Sequence, residues 1–345
     1  MLLDLSCLSY PLPPDVRRLY EAGDFGRMEL VIRRRLDDPC VPEALKARLR
    51  VQLEMAYEIP RAYPYTRAQM LDILQKNVSG FAEEELETLR DDGTLDWRYV
   101  NGEVRFKNNA LSALLKTRKE YAMRATDPAV MSGAKASTEQ LSAMIAKMKA
   151  NGGVRARFEL HEELTVRSDR LTEGETLRIH LPMPIVGAQV KRAELLSASH
   201  PVAFLAPEDE PQRTIYFELP YEPGMTVSAE IAYEIDAPYA QPHAREVYAE
   251  QPVFDTEELP PHVVFTPYLR ALAKEIVGDE TNALLKARKI YDFITTQAVY
   301  RFMPPYLTVP NIPEYFLSGL RGDCGVQAIT FVTLCRPVSY THLTL

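Results

Sequence analysis

The chain has 345 residues, which exceeds the usual size of one domain and favours two or three domains. Its composition, with 46% hydrophobic and 26% charged residues, is typical of a folded globular protein and excludes a disordered or fibrous chain. The formal net charge of -8 gives no general attraction to phosphate backbones or anionic membrane surfaces, so we expect neither nucleic acid nor a membrane as a partner.

The first 20 residues do not resemble a targeting segment. They lack the basic start of a signal peptide, and Asp4 and three prolines interrupt their apolar stretch. No stretch of the chain reaches the roughly 18 uncharged apolar residues that a membrane span needs. We therefore expect a cytoplasmic protein.

Residues 1–125 are predicted to form a helical module with a small β-hairpin. Apolar residues recur at helical spacing, and the Asn101-Gly102 pair favours a tight turn between two short strands. The predicted elements are two helices within 15–57 on either side of Pro39 and Pro42, helices at 66–77 and 81–91, a hairpin at 95–106, and a helix ending near Tyr121.

Two helices followed by a hairpin are also the order of a winged-helix DNA-binding domain. A recognition helix needs Lys or Arg, whereas the segment at 82–92 is acidic. We therefore favour a helical interaction or packing module.

The middle of the chain changes its pattern twice. Residues 126–153 are small and polar around one apolar stretch, which predicts a linker with a short helix. From 154 to 237, apolar and polar residues alternate with a period of two, and turns recur roughly every 8 to 15 residues. This alternation predicts an antiparallel β-sandwich.

Helical spacing returns after Pro238. We predict one helix at 267–276 and a longer one at 282–300, with Thr281 as the N-cap of the longer helix. A proline-rich loop then leads to residues 319–336, which contain the most informative motif.

Cys324 is the candidate nucleophile. Asp323 can cap a helix whose first turn holds Cys324, and the apolar residues that follow predict a helix buried on most sides. The unpaired amides at a helix N-terminus favour a thiolate and can bind an oxyanion. Gly325 leaves room for a carbonyl group, whereas the Asp323 carboxylate opposes the thiolate unless it turns onto the backbone as the cap.

A second interpretation of Cys324 is a small, half-buried residue at a helix start, which is how most lone cysteines behave. The residues alone leave both interpretations open. Four cysteines, spaced neither as a disulfide framework nor as zinc-binding pairs, give no further guidance, and we expect neither a metal nor a cofactor.

The segment GDCGVQAITFVTLCR, with the helix before it, the Tyr300 region and the loop NIPEYFLSGLRG, resembles the nucleophile segment of bacterial transglutaminase-like proteins of the papain-related superfamily. The resemblance covers about 260–336. The predicted fold class is multidomain α+β, with the helical N-terminal region and the antiparallel β-sandwich described above. The resemblance says little about that N-terminal region, but it implies that the sandwich precedes the helical first part of a transglutaminase-like core at 238–336. It also implies that Cys324 is catalytic. Gly322, Asp323, Gly325 and Tyr300 would line the oxyanion site and the cleft.

In that family a His and then an Asp follow the nucleophile helix, but only the cysteine has a counterpart here. After Arg336 the chain continues with PVSYTHLTL, whose coding sequence can resemble the end of a sequencing adapter. We therefore expect residues 337–345 to be a non-native tail, the chain to be truncated after the nucleophile helix, and this form to lack turnover. His342 is not assigned as the base.

The remaining histidines have no metal-ligand spacing. His161, His180 and His200 lie in or beside predicted strands, while His243 and His262 lie among prolines in predicted loops. Cys335 is predicted to be a core thiol at the far end of the nucleophile helix.

The predicted function is cysteine-nucleophile acyl transfer on protein or peptide amides, by a transferase or by a protease or amidase. A protein or peptide is therefore the expected partner, and the oligomeric state stays open. The alternative is a non-catalytic protein-binding or scaffolding module.

Overall fold

The structure is a computed structural model that describes residues 5–167, 170–247 and 255–338, without the side chains of 131–138. It is a mixed α/β structure of helices and several small sheets. The chain divides into two compact units. Residues 1–134 and 242–345 form the first unit, and residues 135–241 form the second.

The first unit begins with three α-helices, α1 (Pro14–Glu21), α2 (Phe25–Asp37) and α3 (Glu43–Ala62). The prediction of two helices within 15–57 was wrong, because Gly23 ends the first helix. Gly23 has φ +71°, and a Cβ there would collide with the Tyr99 carbonyl oxygen. The Gly23 carbonyl instead accepts a hydrogen bond from the Asn101 amide at 2.7 Å.

Short helices and strands then form a second cluster of elements in the same unit. The predicted hairpin is confirmed, with Asn101 at φ 50° and Gly102 at φ 88° as its two turn residues. Three strands form one sheet, in which β3 (Glu103–Phe106) lies between β1 (Tyr65–Thr66) and β2 (Trp97–Val100). The elements are β1 (Tyr65–Thr66), α4 (Arg67–Asn77), α5 (Glu83–Asp91), β2 (Trp97–Val100), β3 (Glu103–Phe106), α6 (Ala110–Thr117) and α7 (Lys119–Ala122).

Helix α8 (Pro128–Asn151) crosses from the first unit into the second, and it is longer than the short helix that we expected within 126–153. The described residues of the second unit form two three-stranded antiparallel sheets. In one, β9 (Thr226–Pro238) lies between β4 (Gly153–Thr165) and β6 (Val190–Ala198). In the other, β8 (Thr214–Pro220) lies between β5 (Thr176–Pro182) and β7 (Phe204–Leu205). Side chains from both sheets, such as Phe217 and Ile231, join one hydrophobic cluster.

The described residues in the last part of the first unit form four α-helices and two short strands around one hydrophobic cluster. These elements are α9 (Pro267–Val277), α10 (Ala283–Gln297), β10 (Val299–Tyr300), α11 (Ile312–Gly319), β11 (Arg321–Gly322) and α12 (Cys324–Cys335). The prediction of Thr281 as the N-cap of α10 was wrong. Asn282 is the cap, because its side chain accepts the hydrogen bond from the Leu285 amide at 3.2 Å.

Helix α12 is less buried than its apolar sequence predicted. One stripe, which includes Val326, Leu334 and Cys335, packs into the cluster. The opposite side contains Val332, which is 42% exposed. An apolar helix is buried only where other elements cover it, and the described residues cover one side.

Within the part of the chain that the structure describes, none of the helices combines the length and apolar character needed to cross a membrane.

Candidate active site

The start of α12 has the predicted geometry. Asp323 is the N-cap, and its Oδ1 accepts a hydrogen bond from the Val326 amide at 3.1 Å. Cys324 is therefore the first residue of the helix, and it is exposed. The carboxylate is turned onto the backbone as a cap, which was the condition for Asp323 to be compatible with a thiolate next to it.

The cap uses one of the amides in the first turn, and the amide of Gln327 donates to the Asp323 carbonyl at 3.0 Å. Among the described residues, no acceptor is hydrogen-bonded to the amides of Cys324 and Gly325. These two N–H groups lie at the positive end of the helix, next to the sulfur-bearing residue. They can donate to an oxyanion that forms there.

Tyr306, in the proline-rich loop, also lies at this helix start. Its hydroxyl donates to Asp323 Oδ1 at 2.6 Å. Burial and this hydrogen bond raise the pKa of Tyr306, with further contributions from the charges of Asp323 and Cys324, so the hydroxyl stays a donor. No local motif in the sequence marks Tyr306, so its role could not be predicted.

Tyr306 also explains why residue 325 is a glycine. A Cβ on Gly325 would lie 2.5 Å from the Tyr306 hydroxyl. We had expected this missing side chain to leave room for a substrate carbonyl. The structure instead places the tyrosine hydroxyl in that space, so Gly325 permits the contact between the loop and the cap.

Gly322 and Tyr300 lie opposite each other in the parallel pair formed by β10 and β11. A Cβ on Gly322 would approach Val326 Cγ1 to 2.8 Å, so this position requires glycine for the tight entry into α12. The Tyr300 ring contacts the Lys116 ammonium, 4.3 Å from the ring centroid. No hydrogen bond or ring contact within the described ranges joins Tyr300 to Cys324.

A buried lysine fixes the loop that contains Tyr306. Lys107, only 4% exposed, donates to the Phe302 carbonyl at 2.9 Å and to the Met303 carbonyl. Burial lowers the pKa of Lys107 to about 8, while the nearby carboxylates of Asp96 and Asp323 act in the opposite direction. The role of Lys107 could not be predicted from the sequence either, since its partners lie 195 and 196 residues away.

Further contacts join the N-terminal helices to the region around the candidate nucleophile. The half-buried Arg301 forms an ion pair with Asp96, which also accepts a hydrogen bond from the Tyr63 hydroxyl at 3.0 Å. Arg321, next to Gly322, donates to the Asp92 carbonyl at 2.7 Å. The N-terminal part of the first unit thus supports the loop and strand that lead into α12.

The other cysteines differ from Cys324 in exposure or position. Cys335 is buried at the far end of α12, and burial raises the pKa of its thiol to about 12. This confirms the prediction that it is a core thiol. Cys7 is also buried, whereas Cys40 is exposed in a loop between α2 and α3.

In the described ranges no histidine hydrogen-bonds to Cys324. His161 and His180 lie on strands, where they pair with Glu230 and Thr214 respectively. His262 is half-buried, and burial lowers its pKa. His342 lies outside the described residues.

The comparison with protein families concerns the same end of the chain. Residues 270–340 match the family model of the transglutaminase-like superfamily. The match confirms the resemblance predicted from the sequence. It includes Cys324 and all of α12, and it indicates cysteine-based catalysis in general.

One solved structure, named as a "Putative Cysteine Protease from Cytophaga hutchinsonii", is similar with 17% sequence identity and a TM-score of 0.39. The similarity covers 54% of this chain and 66% of that one, so the chain spans slightly less than two thirds of that structure's length. No curated protein matches the chain.

Proposed function

We propose that the protein uses Cys324 as the nucleophile of acyl transfer on protein or peptide amides. The observation that carries this proposal is an exposed cysteine at the start of α12, inside the segment that matches the transglutaminase-like superfamily. The two amides next to it, which have no acceptor among the described residues, support the same role.

The proposed step begins with attack of the Cys324 thiolate on the carbonyl carbon of an amide. A C–S bond forms, the developing oxyanion accepts hydrogen bonds from the amides of Cys324 and Gly325, and the C–N bond then breaks. The nitrogen takes up a proton from water and leaves as an amine. Water or a second amine then attacks the thioester carbon, the C–S bond breaks to release the Cys324 thiolate, and the attacking group loses a proton to solvent. The product is a carboxylic acid from water (hydrolysis) or a new amide from the amine (cross-linking).

In this proposal Asp323 and Tyr306 position the nucleophile. Tyr306 holds the Asp323 carboxylate in the cap, and the hydrogen bonds to its Oδ1 offset part of the negative charge beside the sulfur. Gly322 and Tyr300 belong to the strands that orient the start of α12. We also propose that the two sheets of the second unit form the β-sandwich that precedes such a core.

An activated acyl donor tests the nucleophile without requiring a general acid, because nitrophenolate leaves without a proton. The full chain is treated with p-nitrophenyl acetate at neutral pH, and modified peptides are identified by mass spectrometry. We expect an acetyl group on Cys324 that hydroxylamine removes, as it removes a thioester but not an acetylated lysine. Cys324→Ala should abolish this adduct, and Cys40→Ser, which removes the other exposed cysteine, should leave it unchanged.

Acetylation of Cys40 without acetylation of Cys324 would overturn the proposal. The non-catalytic protein-binding module would then be the better description of this chain.

A further inference from the structure

A cavity of about 470 Å³ lies in the first unit, beside the proline-rich loop. Its size is that of a small-molecule site. Residues of the N-terminal helices and hairpin form one part of the wall, and residues 304 and 308–311 of the loop form another. Cys324, Asp323 and Tyr306 are not among its lining residues, so the cavity is separate from the site described above.

Four aromatic side chains give the cavity flat apolar walls. Two of the hydroxyl groups already have acceptors: Tyr20 donates to the Thr308 carbonyl at 3.0 Å, and Tyr63 donates to Asp96 at 3.0 Å. The lining aromatic residues are Tyr20, Tyr63, Trp97 and Tyr315. Such walls suit a ligand with an apolar or aromatic body.

The cavity wall contains two arginines and one aspartate, so one arginine has no carboxylate partner in the wall. Asp96 is satisfied by its ion pair with Arg301 and its hydrogen bond from Tyr63. Arg98 lies instead over aromatic rings, with its Cζ 4.8 Å from the Tyr20 centroid, and no carboxylate in the described part of the chain pairs with it. In addition, the Nε of Arg301 is buried and has no hydrogen-bond partner there.

The Arg98 guanidinium, with unused N–H donors beside an aromatic wall, favours a ligand that carries a carboxylate. Its fork of donors fits the two oxygens of a carboxylate, and burial strengthens that charge-assisted pair. A cationic ligand would meet like charges from Arg98 and Arg301, and a purely apolar one would leave the guanidinium without an acceptor.

We propose that this cavity binds a small carboxylic acid, with its carboxylate on Arg98 and its apolar body against the aromatic walls. The loop that lines the cavity also contains Tyr306, so the occupied cavity adjoins the segment that reaches Asp323. Binding at this cavity does not depend on the role proposed for Cys324.

Trp97 is the only tryptophan of the chain, so its fluorescence reports on this cavity directly. The full chain is titrated with phenylacetate, with phenylacetamide and with 2-phenylethylamine, which share a ring but differ in the charge of the polar group. We expect saturable fluorescence change with phenylacetate and at least about tenfold weaker binding of the amide and the amine.

Arg98→Gln should weaken phenylacetate binding by about tenfold or more, and Arg98→Lys, which keeps the charge, should bind with intermediate affinity. Arg34→Gln is the matched control, because Arg34 is exposed on α2 and outside the cavity. It should bind as the unmodified chain does, and so should Cys324→Ala. Equal binding of phenylacetate and phenylacetamide, or an unchanged affinity in Arg98→Gln, would overturn the proposal. The comparison of phenylacetate with the amide and the amine on the unmodified chain tests the proposal even where a variant fails to fold.

Discussion

Replacing Gly325 by alanine tests the contact between the loop and the candidate nucleophile. The new Cβ would lie 2.5 Å from the Tyr306 hydroxyl, so that hydroxyl must move away and its hydrogen bond to Asp323 must break. The next atom of the ring, Cζ, is 3.5 Å away, which is an ordinary contact. Tyr306→Phe therefore removes most of the collision.

The two effects of Gly325→Ala have opposite signs. Alanine in place of glycine in a helix stabilises by about 0.5–1 kcal/mol. A hydrogen bond to a charged group is worth about 1.5–3 kcal/mol when buried, but Tyr306 is 43% exposed, so about 1 kcal/mol is a reasonable loss. We expect Gly325→Ala to leave stability nearly unchanged alone, and to stabilise the Tyr306→Phe variant by about 0.5–1 kcal/mol.

Urea unfolding of the unmodified chain, the two single variants and the double variant measures this difference as a coupling free energy. We predict about 1 kcal/mol. Effects that add to within about 0.3 kcal/mol would refute the contact between Tyr306 and the first turn of α12.

Substitutions at Asp323, Lys107 and Arg124 test the helix cap, the buried lysine and the ion pair between Arg124 and Glu85. Asp323→Ala should destabilise the protein by about 1 kcal/mol in urea unfolding, and Asp323→Asn by less, because Asn still caps the Val326 amide. Lys107 has a folded-state pKa of about 8, which is below its value in the unfolded chain, so unfolded chains bind more protons between these two values. The free energy of unfolding should therefore rise from about pH 8 to about pH 10. Lys107→Met should lack that rise. The hydrogen bond from Arg124 is the main cause that lowers the pKa of Glu85 to about 2, so its stabilisation is present above the unfolded pKa and lost as pH falls towards 2. As the pH falls, Arg124→Gln should therefore lose less free energy of unfolding than the unmodified chain, which acid unfolding curves measure.

Features set by neighbouring residues could be predicted from the sequence. The Asn101-Gly102 turn, the Asp323 cap and the helix start at Cys324 depend on local backbone preferences, and the structure has all three. Thr281 and Asn282 are both good N-cap residues, so the sequence could not show which of them caps α10. Asn282 is the cap because the helix begins at Ala283.

Features set by distant residues could not be predicted. Lys107 and Tyr306 have no motif of their own, and their roles follow from partners that only the folded chain brings near. The exposure of Val332 has a similar reason. An apolar helix indicates that burial is favourable, but it does not show which of its sides another element covers.

Competitive alkylation tests most directly whether Cys324 is an activated nucleophile. Cys324 and Cys40 are both exposed, so exposure alone predicts similar rates of labelling by iodoacetamide. The field of a helix N-terminus is worth up to about 1 kcal/mol at an exposed site, which corresponds to about fivefold in reactivity. We predict that Cys324 labels about fivefold faster than Cys40 in the folded chain near neutral pH, and equally fast in urea. Equal rates in the folded chain would contradict the claim.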